Sequence, residues 1–89
     1  MCASPVEAAS DIDWGRFSLR LSEDMTEQQA ISAVGYKPNK AELTTCGAES
    51  RDGPWQCRIL TFGNNYSSLV VYERRSGELW VVNNWIVLP

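Results

Sequence analysis

The chain has 89 residues, enough for one small domain and too few for two. Hydrophobic residues make up 44% and charged residues 21%, a globular balance far from that of disordered chains. Eleven acidic against eight basic residues leave a net charge of -3, which argues against nucleic acid as a partner, and the absence of histidine removes the commonest proton shuttle and metal ligand.

Cys2 is followed by Ala3, Ser4, Pro5, Val6, Glu7, Ala8, Ala9 and Ser10, small and polar residues that read as a flexible tether over 1–10 ahead of a single domain over 11–89. The start lacks the basic n-region and apolar h-region of a secretory signal, and no run of about 18 apolar residues exists to span a membrane. Cys2 is then either an ordinary second residue or a lipidation site. A cysteine heading a polar tether resembles a mature bacterial lipoprotein, with Met1 standing where a signal peptide would have been removed, and this reading accounts for the odd cysteine.

From Asp11 to Leu21 the apolar residues Ile12, Trp14, Phe17, Leu19 and Leu21 show a mixed period, predicting a short helix with Ser10 or Asp11 as N-cap and Gly15 as its weak point. The next helix is written more plainly. Thr26-Glu27-Gln28-Gln29 is a capping box with Met25 before it as an apolar staple, Ala30, Ile31, Ala33 and Val34 form an apolar face, and Gly35 supplies the left-handed stop. Tyr36 is expected to fold back on Ile31, and Pro38 prevents resumption.

Strands are predicted over Leu43 to Cys46, Trp55 to Phe62, Ser68 to Arg74 and Glu78 to Leu88, with hairpin turns at Gly63 to Tyr66 and Arg75 to Gly77. A three-residue turn with Gly77 left-handed would set Arg74 opposite Glu78 and Tyr72 opposite Trp80. The expected class is α+β: two short N-terminal helices on one face of a three- to four-stranded antiparallel meander. Cys46 and Cys57 bracket a loop containing Gly, Ser and Pro and form the natural disulfide pair, worth about 3 kcal/mol for so short a closure. The alternative is two reduced cysteines in a cytosolic protein.

Met25-Thr26-x-x-Gln29-Ala30-x-x-x-x-Gly35 resembles the signature of the SmpA/OmlA group of small envelope lipoproteins and of related β-lactamase-inhibitor-like domains. In the inhibitor-like domains a cysteine pair a dozen residues apart follows, similar to Cys46 and Cys57-Arg58, as is Gly77 followed eight residues later by Trp85. The match covers most of 12–89 through short, permissive motifs. It departs at Asp24, where the family has Gly, and in the spacing from the first helix to Met25. Asp visits positive φ more readily than most residues, which makes Asp24 tolerable there. The resemblance implies a helix-helix-four-strand domain that binds proteins and catalyses nothing.

Apolar residues on both parities of the last two strands leave one sheet face open, and such faces mark contact sites. Trp55, Tyr72 and Trp80 are the expected partner-binding residues, with Trp14 and Trp85 in the core. A second copy is the alternative cover for that face. Lys37, Lys40, Arg74 and Arg75 read as charged strand ends before they read as an anion site. Asp11, Asp13, Glu23, Asp24 and Glu27 lack the central Gly of a calcium loop, and no serine or threonine is paired with a base. The expectation is a non-enzymatic protein-binding domain without metal or cofactor, anchored through Cys2 to the outer membrane at its periplasmic side. The alternative is a periplasmic or secreted enzyme inhibitor.

Overall fold

The computed structural model describes residues 12–48, 51, 53–64 and 66–89. Cys2, the tether over 3–10, and the N-cap candidates Ser10 and Asp11 lie outside the described residues. Six elements follow in order: α1 (Trp14–Ser18), α2 (Glu27–Val34), β1 (Lys40–Cys46), β2 (Trp55–Gly63), β3 (Ser68–Ser76) and β4 (Leu79–Leu88).

The expected α+β domain with helices layered on one sheet face is corrected by these proportions. The body of the molecule is a four-stranded antiparallel sheet of order β1-β2-β3-β4, and the helices are only five and eight residues long. Two such pieces are too short to form a second layer, and they lie against β3 and β4. All of β1 but Cys46 is exposed. α1 also begins later than the sequence suggests. Asp13 is its N-cap, its carboxylate accepting from the Arg16 N–H at 3.2 Å, and the Ser18 hydroxyl donates to the Gly15 carbonyl within its single turn.

α2 is closed at both ends by local chemistry. The Thr26 hydroxyl accepts from the Gln29 N–H at 3.2 Å, and the Gln29 side chain accepts from the Thr26 N–H at 2.9 Å. Gly35 ends the helix at φ +84°, its N–H donating to the Ile31 carbonyl. Ala30 and Val34, four apart, are fully buried and join Trp14, Leu21, Leu60, Phe62, Leu69, Val71 and Val82 in one core. Tyr36 reaches α1 as well. Its ring meets Trp14 at 5.6 Å and Phe17 at 5.5 Å, both edge-on, and so ties α1 to the end of α2.

The register between β3 and β4 differs from the three-residue turn expected. Ser76 pairs with Leu79 across the two residues Gly77 and Glu78, with Gly77 at φ +64° as the first central residue. Arg75 therefore faces Trp80, Arg74 faces Val81 and Tyr72 faces Asn84. Between Tyr72 and Glu73 the pairing shifts by one residue on β4, so Asn83 is the extra residue of a bulge. The turn between Asp24 and Thr26 pairs with the outer edge of β4: the Val82 N–H donates to the Met25 carbonyl, and the Asp24 N–H to that of Val82. Asp24 adopts φ +72°, a conformation that Asp takes more readily than most non-glycine residues.

Candidate functional site

Alternation along the strands gives the sheet two distinct faces. One carries Leu60, Phe62, Leu69, Val71 and Val82 into the core beneath the helices. The other carries Trp55, Cys57, Ile59, Val70, Tyr72 and Val81; Cys57, Val70 and Val81 are buried on it, and among the described residues no helix packs against it, so it is called the open face. On that open face the Arg74 side chain reaches past its neighbour Val81 to the outer edge of β4. There it donates to the Val82 carbonyl at 3.1 Å and the Asn83 side chain at 3.3 Å, and forms an ion pair with Asp24.

Cys46 and Cys57 are disulfide-bonded with their Cα atoms 5.8 Å apart. Cys57 faces Thr44 and Cys46 faces Trp55, so the bridge runs diagonally between β1 and β2 on the open face. It pins the edge strand at the end where the connecting loop leaves. Beside it lies an open groove of about 440 Å³, lined by Leu43, Thr44, Thr45, Pro54, Trp55 and Gln56. Trp55 is half-buried and Leu43 is 57% exposed, a mixture of anchored aromatic and open aliphatic surface suited to an apolar contact.

The three aromatic residues expected to form one contact surface are divided between faces. Trp55 and Tyr72 share the open face, whereas Trp80, opposite Arg75, lies on the helix-bearing side. The physical reason is the two-residue turn, since one residue fewer in the loop exchanges the faces of every β4 side chain before the bulge. Trp80 is half-buried under the Arg75 guanidinium, 5.1 Å from its ring. Trp14 is buried and Trp85 packs against the core.

The cations do not converge either. Arg74 is held by Asp24, Arg75 lies over Trp80 and Lys40 pairs with Glu42 at 3.4 Å. Lys37 lines a second, smaller groove of about 270 Å³ with Trp14, Tyr36 and Asn39. Among the described residues no three side chains are placed to hold a metal ion.

A feature absent from the sequence reading lies between α2 and the sheet. Glu73 is fully buried, and neither of its carboxylate oxygens has a hydrogen-bond partner. The Arg58 guanidinium lies 3.9 Å from it but 2.6 Å from Glu27, which takes the hydrogen bond. Burial, followed by the neighbouring Glu27 carboxylate, pushes Glu73 up to about 8 against the pull of Arg58. For Glu27 burial acts in the same upward direction, but its contacts with Glu73 and Arg58 outweigh it and hold it below the ordinary carboxylate range. The signal for this cluster was in the strand pattern, where Glu73 follows Leu69 and Val71 on the core parity. Neither groove described above is lined by Glu27, Arg58 or Glu73, and the acid reads as part of how α2 is seated.

Comparisons with family models, with curated proteins and with solved structures give no match for this chain.

Proposed function

We propose that this chain is a non-enzymatic protein-binding domain that engages its partner through the open sheet face at the disulfide end. The observation that supports this reading is the groove beside the Cys46–Cys57 bridge, where Thr44 and Trp55 stand on the bridge's face and Leu43, paired with Arg58, stands on the other side of the same edge strand. It presents apolar surface on an exposed edge strand that a covalent tie keeps from fraying. Tyr72 extends the same face, and Trp80 drops out of the contact set because it lies on the other side. A short disulfide-closed loop belongs with an oxidising compartment. The bacterial envelope, with a lipid on Cys2 as anchor, is the setting proposed here on the resemblance stated above.

Site-specific photo-crosslinking in the native host tests the contact surface. A crosslinking residue at 55 or 72 is expected to give one discrete protein adduct, and the same residue at 80 to give none. Adducts from position 80 alone would move the contact to the helix-bearing side and overturn this reading. A secreted or periplasmic inhibitor uses the same groove differently. Loss of a purified hydrolase's activity on titration with the chain, relieved by Trp55→Ala, would favour that second reading.

A further inference from the structure

Among the described residues neither outer edge of the sheet is paired along its whole length, and the two edges are not equivalent. β1 carries Lys40 and Glu42, paired with each other at 3.4 Å, and charged side chains on an edge strand oppose strand addition. β4 carries no charged residue from Leu79 to Leu88. Its outer edge is occupied at Val82, where Met25 accepts from the strand and Asp24 donates to it. Beyond that point, among the described residues, no backbone group pairs with the outer edge of Asn84 to Leu88. Ile86, Val87 and Leu88 are 41%, 39% and 44% exposed, so apolar surface stands on both faces of the unpaired stretch. Natural sheets place a lysine, a proline or a covering loop on such a strand unless something pairs with it.

We infer that the open edge of β4 is the interface between two copies of this chain, joined antiparallel about a two-fold axis near Ile86. The strand is its own complement in that arrangement. Ile86 meets Ile86 of the second copy on the open face, Trp85 meets the second copy's Val87 on the helix-bearing face, and Asn84 meets its Leu88. No charge faces a like charge, although each chain is negative overall. A charged foreign segment would find no complementary charge on this edge, whereas a second copy brings the same neutral, apolar strand. Each backbone group of Asn84 to Leu88 that points outward gains a partner, and the two sheets become one of eight strands. The contact spans about 17 Å of strand, well below the area of a standard interface, which makes the dimer a weak one. This interface lies on a different strand from the groove at the disulfide end and stands independently of the proposed function.

Analytical ultracentrifugation of the full chain over a range of concentrations tests it. The expected result is a monomer–dimer equilibrium with Kd on the order of 100 μM. Ile86→Lys and, on the opposite face, Val87→Lys should each weaken it by about tenfold or more, as guard residues do at natural edges. Leu43→Lys on β1 should leave it unchanged. Hydrogen exchange at Asn84 to Leu88 should slow as concentration rises, a readout that needs no variant. A chain that stays monomeric at about ten times that Kd, a dimer that survives both β4 variants, or one abolished by Leu43→Lys would overturn the inference.

Discussion

Glu73 turns an ordinary strand position into a pH-dependent one. Folded, its carboxyl titrates near 8, and unfolded it returns to the ordinary value of 4.5. Below the unfolded value both states are protonated and the residue is neutral in the balance. As pH rises from there toward 8 the unfolded chain ionises while the folded chain resists, so stability falls by up to about 1.4 kcal/mol per pH unit. Glu27 acts in the opposite sense and lower down, its contribution being lost as pH falls through the acid range. Thermal melts of the wild type should therefore fall between pH 5 and 8, with Arg58 and Glu27 the charged groups facing the acid. Glu73→Gln keeps the shape without the charge and should flatten that slope, melting above the wild type at pH 8. Parallel curves for the two proteins would place the pH dependence elsewhere.

At the scale of elements, α2 was legible because its controls are local. A capping box and a left-handed glycine act within one turn of the helix they delimit, so Thr26, Gln29 and Gly35 can be read without knowing what the helix touches. Nothing lies within 4 Å of where a side chain on Gly35 would begin. Gly35→Ala should thus cost only the backbone strain of its positive φ, about 1 kcal/mol, measured by chemical denaturation. A neutral result would mean the helix end relaxes to another conformation. The strands were legible in place but not in register. Whether Arg75-Ser76-Gly77 or Gly77-Glu78 forms the turn depends on how β4 buries Val82 and Trp85, and that depends on the bulge at Asn83. A bulge leaves no mark in alternation except a broken parity, and it is the two-residue turn that sets Trp80 on the helix-bearing side.

The whole molecule depends on the bridge between Cys46 and Cys57 because β1 has little else to hold it. Its residues are exposed up to Cys46, it pairs on one side only, and neither helix lies over it. Closing an eleven-residue separation stabilises the fold by roughly 3 kcal/mol, so reduction should lower Tm by on the order of 10 °C. Amide protection should be lost first along Lys40 to Cys46 if the bridge acts through the edge strand. Uniform loss across the sheet would instead show that the four strands unfold as one unit.

Local spacing was sufficient for the closure of α2, the places of the strands and the pairing of Cys46 with Cys57. Each depends on residues near one another in the chain. The tertiary structure alone decided that the helices are too short to make a layer, that Tyr36 turns to Trp14 and Phe17, that Trp55 and Tyr72 part company with Trp80, and that a carboxyl is shut beneath α2. These outcomes turn on which face a side chain takes when strands pair. A single residue in a turn or a bulge changes that face, and a sequence read in one dimension does not carry it.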